Sequence, residues 1–262
     1  MIIHFIRYVY TQPDLLILST FMLSTCVFCV VLYSLLSSTI GKLNIPTDGY
    51  FAVAIIGAMT SLVAVLLTFT LIQSINTYNR ANEAVLTEIS AIELLYKRAV
   101  FLDNKYTKDL KDKTRNYVSD IIESDWYTMI TGQRSESTEE TFNKLLISVS
   151  RASHASDVDQ ETAWDLSTSF GEVVKGRYDR LKLAGNNLPP IYYMAILVLF
   201  IIHILQFFLL TKRSFFSLTI LNLNMAALGL LLGLVFVYDH PFEGETAVRI
   251  ELYKDLATRI KE

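Results

Sequence analysis

The sequence has no Asp, Glu, Lys or Arg in four long segments, which are residues 15–40, 49–79, 189–211 and 214–238. Soluble cores do not leave such long stretches uncharged, whereas a helix that crosses about 30 Å of hydrocarbon needs roughly 20 apolar residues. Charged residues make up only 19% of the chain and hydrophobic residues 52%, which excludes an ordinary soluble domain. The sequence therefore predicts a membrane protein with four transmembrane helices.

Motifs for catalysis and for metal or nucleotide binding are also absent from the sequence. It has no glycine-rich phosphate loop, no H-E-x-x-H and no G-x-S-x-G, and its four histidines are dispersed. The two cysteines, Cys26 and Cys29, lie inside the first apolar segment, so we interpret them as helix-packing residues. A net charge of −3 gives no electrostatic reason to expect nucleic acid as a partner. We expect no enzymatic activity, no cofactor and no metal site.

Proline is absent from residues 80–188, a polar region in which apolar residues recur at helical spacing, as at Val85, Ile89 and Ile92. The predicted helices there are 81–102, 107–130, about 135–150 and 157–183. No alternating strand pattern occurs in the sequence. Neither Gly nor Pro separates the second span from the first of these helices, so we expect one helix from Gly49 to Leu102.

These segments divide the chain into four regions. They are a first transmembrane hairpin (1–79), a cytoplasmic helical domain (80–188), a second transmembrane hairpin (189–238) and a cytoplasmic C-terminal tail (239–262). With four spans, both termini and the helical domain lie on one side of the membrane. That side has ten basic residues near the span ends and the other side has three. The positive-inside rule therefore predicts an inner (plasma) membrane protein with both termini and the helical domain in the cytoplasm.

The predicted fold class is all-α, with four transmembrane helices and a cytoplasmic helical bundle inserted between the second and third. The second span contains many small and hydroxyl residues for a helix that faces only lipid. Ala64, Thr68 and Ile72 recur every four residues and share one face. Small residues allow close helix packing, and they also suit a narrow pore that gates by dewetting. The periodicity alone favours packing.

Polar residues in the last two spans also have two interpretations. His203 and Gln206 lie on nearly one face of the third span, and Asn222 and Asn224 lie in the fourth. They either hydrogen-bond between helices or face water in a pathway, and we prefer interhelical hydrogen bonds. No charged residue lies at mid-membrane, which argues against an ion-coupled pump or proton relay.

The end of the second span resembles the corresponding part of bestrophins. In that family an apolar pore-lining run leads into a Tyr-x-Arg-x-x-Glu-Ala signature, which is matched here by Tyr78, Arg80, Glu83 and Ala84. Arg80 and Glu83 are also spaced to form a simple ion pair on one helix, and a basic residue is expected where a span leaves the bilayer.

Further motifs extend the resemblance over nearly the whole chain. The segment after the fourth span, with Asp239, Pro241 and Phe242, is similar to an Asp-x-Pro-Phe-Gly segment at the same place in bestrophins. It could also be only a chain stop after the fourth helix. The middle is similar to a bacterial membrane-protein family described as bestrophin-like. The matching residues are Arg115, Tyr117, Asp125-Trp126 and Leu188-Pro189.

Bestrophins are pentameric ion channels in which five copies of the second helix line a central pore. The resemblance therefore implies a homopentamer that passes small ions across the lipid bilayer, with Ala64, Thr68 and Ile72 at its narrow neck. By the same resemblance, a set of residues would hold the membrane and cytosolic layers together around the pore. These are Tyr78, Arg80, Glu83, Asp239, Pro241 and Phe242.

This sequence departs from the bestrophin pattern in three respects. Gln73 stands where a basic residue usually follows the neck, so anion preference is not implied. The neck face is smaller and more polar than usual. The acidic run of the animal calcium clasp is reduced to Glu243 and Glu245, too few carboxylates for a calcium site of six to eight oxygens.

Two other functions remain open. One is a non-conducting membrane sensor or scaffold, whose helical domain binds a partner. The other is a membrane effector in stress or phage defence that is triggered through the helical domain. A cleft with convergent basic residues in 81–188 would favour the triggered effector, and an open path along the second helices would favour a channel over a scaffold.

Overall fold

The computed structural model describes residues 9–40, 49–102, 105–212 and 214–261, and within these ranges all regular structure is helical. The helices are α1 (Asp14–Ile40), α2 (Gly49–Phe101), α3 (Thr107–Asp120), α4 (Trp126–Ile130), α5 (Glu136–Ser153), α6 (Gln160–Ala184), α7 (Pro190–Leu210), α8 (Phe215–Asp239) and α9 (Glu251–Arg259). The predicted all-α fold class is confirmed.

Four of these helices, α1, α2, α7 and α8, are long and apolar enough to cross a membrane, as predicted. Their most apolar segments have mean hydropathies between 2.2 and 2.5. Only 17% of the residues in those segments of α1 and α2 are buried within the chain, and 39% in α8. Most of the apolar surface of the spans is therefore left for contact with lipid or with other chains.

The second helix, α2, is continuous over 53 residues and ends one residue before the predicted end. Its continuity follows from the absence of Gly and Pro between its apolar and polar halves. The described chain forms two compact units, and α2 contributes to both. We call residues up to Thr77 together with Leu188–Thr246 the membrane unit, and Tyr78–Asn187 together with Ala247–Glu262 the polar unit.

The membrane unit has an apolar core of residues from its four long helices, including Leu67, Phe200 and Met225. Cys29 is fully buried in this core and Cys26 donates to the carbonyl of Asn222, with both thiols free. The cysteines therefore act as helix-packing residues, as predicted.

Helices α1 and α8 approach closely at Gly229, where the Thr25 hydroxyl of α1 donates to the Met225 carbonyl at 3.0 Å. A Cβ at Gly229 would overlap Thr25 Oγ1 and lie 3.0 Å from the carbonyl oxygen of Phe21. This contact requires a residue without a side chain.

We expect Gly229→Ala to destabilise the protein by about 1–3 kcal/mol, because α1 must move away or Thr25 must leave its hydrogen bond. Gly57→Ala is the matched control in another span, since a Cβ at Gly57 has nothing within 4 Å. The measurement is denaturant unfolding of the detergent-solubilised protein. Equal unfolding midpoints for the two alanine variants would contradict the close approach.

In the polar unit, two helices begin at side-chain caps. The hydroxyl of Ser135 accepts from the Thr138 N–H at the start of α5, and the carboxylate of Asp159 accepts from the Thr162 N–H at the start of α6. The first cap lies where the sequence predicts a helix start, and α6 begins three residues after the predicted start at Asp157.

The predicted single α-helix over 107–130 is wrong in one respect. Residues Ile121–Asp125 form a π-helical turn between α3 and α4. A π turn inserts one residue into the helical repeat, so it rotates the following side chains around the axis. Asp125, the last residue of this turn, and Trp126, which follows it, are both buried.

Candidate functional site

The predicted pore face of α2 lies on the side of the helix that is away from its buried residues. Thr68 is exposed, Ile72 is 48% exposed and Ala64 is half-buried, whereas Val63 and Leu67 are fully buried. The Thr68 hydroxyl donates to the Ala64 carbonyl at 2.8 Å, so its hydrogen-bonding need is met within the helix. The face is therefore available for contact outside the chain, and its assignment to a pore stays a prediction.

The signature residues at the end of this span lie in the polar unit. Arg80 and Glu83 are both exposed on α2, and Tyr78 is half-buried. Among the ion pairs of the described residues, none joins Arg80 to Glu83. The alternative interpretation of these two residues as a simple helical ion pair is therefore wrong for this structure.

The segment after the last span is held in the membrane unit by Asp239. One carboxylate oxygen of Asp239 accepts from the Leu188 N–H at 2.6 Å, and the other accepts from the Tyr193 hydroxyl at 2.8 Å. These bonds tie the end of α8 to the start of α7. Pro241 and Phe242 are buried immediately after it. The motif therefore does more than stop the helix, because its carboxylate fixes where another span begins.

A second contact in the same unit joins His240 to the residues before α1. The Tyr10 hydroxyl lies 2.7 Å from the Phe236 carbonyl and 2.6 Å from His240 Nδ1. A carbonyl only accepts, so Tyr10 gives its hydrogen to Phe236 and accepts from the N–H of His240. The Tyr10 ring also stacks on that of Phe236, with centroids 4.6 Å apart.

The preferred interpretation of the polar residues in the spans is wrong for two of them. His203 is fully buried, and neither ring nitrogen has a hydrogen-bond partner among the described residues. The Asn222 side-chain amide donates to the Leu218 carbonyl of its own helix at 3.1 Å, and its buried side-chain oxygen Oδ1 has no partner in the same ranges. A side-chain hydrogen bond between spans in this unit comes instead from α1, where Thr25 donates to the Met225 carbonyl of α8.

The polar unit contains a buried ionic network around Arg180 of α6. Its guanidinium donates to Glu88 of α2 at 2.7 Å and to Asp125 of the π turn at 2.8 Å. All three side chains are completely inaccessible to solvent. The network has two carboxylates for one guanidinium, so other donors must stabilise the remaining negative charge.

Two phenols supply those donors to Glu88. The Tyr117 hydroxyl of α3 donates to one carboxylate oxygen and the Tyr253 hydroxyl of α9 donates to the other, each at 2.7 Å. Burial raises the pKa of both phenols well above the usual value, and the charge of Glu88 raises it further. Both tyrosines therefore remain protonated donors. Glu88 thus connects α2, α3, α6 and α9.

Sequence reasoning missed Glu88 and Arg180 as members of a common site. A signal for Glu88 existed, because it is an acid within the buried face formed by Val85, Ile89 and Ile92. Tyr117 and Asp125 had been singled out only for their resemblance to family motifs.

Among the described residues, no group of three or more His, Cys, Asp or Glu side chains is arranged to hold a metal ion. Of the two acids noted after the last span, Glu245 accepts from the Asp14 N–H at 3.1 Å. This carboxylate therefore has a structural contact to the start of α1.

Comparisons of the sequence and of the fold with known proteins identify the same relatives. A family model described as Bestrophin-like domain matches residues 23–252. A bestrophin homologue from Klebsiella pneumoniae that carries a point substitution has a similar structure, with a TM-score of 0.70, 11% identity and coverage of 94% of this chain and 99% of that one. Another structure of a homologue from this organism gives a TM-score of 0.67 at 13% identity, over 94% and 96% of the two chains. No curated protein matches the chain.

Proposed function

We propose an ion-channel function from the premise that this chain belongs to the Bestrophin-like family. The predicted recognition of that family from its motifs is confirmed by the match over residues 23–252. We propose further that five copies assemble around a central axis, with α2 of each copy nearest that axis. The observation that carries the proposal is the outward face of α2, where Thr68 and Ile72 are exposed beside fully buried Val63 and Leu67.

The neck of the proposed pore is formed by five copies of Ala64, Thr68 and Ile72. The hydroxyl of Thr68 is bonded within its own helix, so the surface offered to an ion is weakly polar. A narrow passage with such a lining gates by losing and regaining its water. Small ions would pass down their gradient when the neck is hydrated.

In this proposal the remaining motif residues organise the subunit around the pore. Asp239, with buried Pro241 and Phe242 after it, sets the position of α7 through its bonds to Leu188 and Tyr193. Tyr78, Arg80 and Glu83 lie on α2 just beyond its apolar half and would order the exit of the pore. We place the protein in the inner membrane with both termini and the polar unit in the cytoplasm, as the distribution of basic residues predicts.

A second candidate function is a membrane effector triggered by a small ligand. A cleft in the polar unit that is lined by two basic residues, Arg134 and Lys182, favours it. A trigger and a channel are compatible, since the effector would act by opening the same pore. The remaining alternative is a scaffold that never conducts. The absence of any current in bilayer recordings would support it.

The test is planar-bilayer recording from the wild type and from two neck variants. We expect Ile72→Ala to raise the current because it widens the neck, and Thr68→Asp to raise it because a charged ring favours water in the neck. Unequal sodium and chloride across the bilayer will report selectivity in the same experiment.

Two control variants separate conduction from packing. Leu62 is 55% exposed and lies about 120° around the helix from Thr68, so Leu62→Ala should leave the current unchanged. Leu67 is fully buried, so Leu67→Ala should lower stability by about 2–5 kcal/mol. Leak-level currents from the wild type and both neck variants, with intact pentamers, would exclude the channel.

A further inference from the structure

The polar unit has a cleft of about 310 Å³ beside the carboxyl ends of α4 and α6. Met129 of α4 and Leu181 of α6 supply apolar side chains to it. Gln133 and Arg134 reach it from the connection after α4, and Tyr178 and Lys182 reach it from α6. A volume of this size is at the lower end of small-molecule sites.

The lining of the cleft has two positive charges and no acidic side chain. Within the described residues, neither Arg134 nor Lys182 belongs to an ion pair. In the same ranges, the side-chain amide of Gln133 makes no hydrogen bond, whereas its backbone N–H donates to Thr128. Elsewhere on α6, Lys175, Arg177 and Arg180 each pair with a carboxylate. Two uncompensated cations in a concave site attract an anion, because a cleft concentrates their potential.

An aromatic ring lies next to these cations. Tyr178 is 59% exposed, and Lys182 Nζ lies 6.0 Å from the centre of its ring. An exposed ring offers a flat apolar surface on which a planar organic group can stack. A guanidinium and an ammonium are suited to a phosphate, the first as a bidentate donor and the second as a point charge.

We infer that this cleft binds a small phosphorylated organic anion of mononucleotide size. The phosphate lies between Arg134 and Lys182, the planar group lies against Tyr178, and the Gln133 amide donates to or accepts from the ligand. The volume is too small for a lipid tail or a dinucleotide. The inference does not depend on conduction, because it concerns binding to the polar unit alone.

The floor of the cleft is connected to the buried network. Met129 Sδ accepts from Arg180 Nη1 at 3.0 Å, and Arg180 donates to Glu88 of α2. A ligand that packs against Met129 would therefore touch a side chain that contacts Arg180, and Arg180 in turn binds Glu88 of α2.

The test is isothermal titration of the full-length protein in detergent with three probes: AMP, inorganic phosphate and adenosine. We expect AMP to bind most tightly, phosphate to bind more weakly and adenosine to give no heat. The double variant Arg134→Gln/Lys182→Gln should weaken AMP binding at least tenfold. Tyr178→Ala should weaken AMP binding several-fold and leave phosphate binding unchanged.

The matched control is Lys108→Gln/Arg151→Gln, which removes two other exposed cations that lie outside the ion pairs of the described residues. It changes the net charge equally and should leave AMP binding unchanged. The inference is overturned if neither AMP nor phosphate gives heat at millimolar concentration, or if the cleft and control variants bind AMP alike. Equal binding of phosphate and AMP, with no effect of Tyr178→Ala, would overturn the assignment of the organic group.

Discussion

Replacing Arg180 with methionine lowers the free energy of unfolding by about 3–5 kcal/mol, the usual cost of breaking a buried ion pair from one side. Methionine fills a similar apolar volume but leaves Glu88 and Asp125 buried without their cation. Both carboxylates have no solvent access, so water cannot replace the lost donors.

Denaturant unfolding followed by near-ultraviolet circular dichroism measures this loss. The Trp126 ring lies edge-on to Tyr253 with centroids 5.9 Å apart, so its signal reports packing next to the network. Lys175→Met is the control on the same helix. Lys175 is exposed, and its Nζ lies 3.9 Å from Glu172 Oε2. Such surface ion pairs contribute about 0–1 kcal/mol to the free energy of unfolding.

A compensating variant distinguishes lost charge balance from lost packing. Glu88→Gln and Asp125→Asn, added to Arg180→Met, remove the two unpaired charges while nearly keeping side-chain shape. We expect this triple variant to recover part of the lost stability. An Arg180→Met protein as stable as the Lys175→Met control would refute the importance of the network.

Gly176→Ala is the second substitution with a large expected effect. A Cβ at Gly176 would lie 2.7 Å from Glu88 Cα and 2.8 Å from Glu88 N. These are backbone atoms, which no rotamer change can move, so α6 and α2 must separate. We expect a loss of about 1–3 kcal/mol, because the separation also strains the bonds between Arg180 and Glu88.

Gly171→Ala is the matched control on the same helix. A Cβ there has nothing within 4 Å, so alanine should raise stability by about 0.5–1 kcal/mol through its better helix propensity. The two alanine variants should therefore differ in unfolding free energy by about 1.5–4 kcal/mol. Thermal unfolding of both proteins gives the comparison, and similar melting temperatures would disprove the close approach.

Features that depend on local sequence were predictable. The four spans follow from long apolar segments, the cap at Ser135 from a capping residue before acids, and the continuity of α2 from the absence of Gly and Pro. Each of these signals is contained in a short stretch of sequence. The π turn at Ile121–Asp125 was not predictable, because the amphipathic pattern continues through it.

The buried network was not predictable from periodicity. Arg180 lies 92 residues from Glu88 and 55 residues from Asp125 along the chain, and no local pattern records such pairings. Family resemblance pointed to Tyr117 and Asp125 without giving their role, which is to stabilise Glu88 and Arg180. A pore lined by Ala64, Thr68 and Ile72 would need contacts between copies, which local sequence does not specify, so the pore face stays a prediction.

The contact between Tyr253 and Glu88 sets an order of events during biosynthesis. Residues 78–187 are synthesised before α7 and α8, yet Glu88 obtains its second phenol only from α9, 165 residues later. Synthesis of the last two spans must therefore precede completion of the polar unit. Until then the nascent chain holds an acid whose final donor does not yet exist, so its polar unit passes through an incompletely packed intermediate.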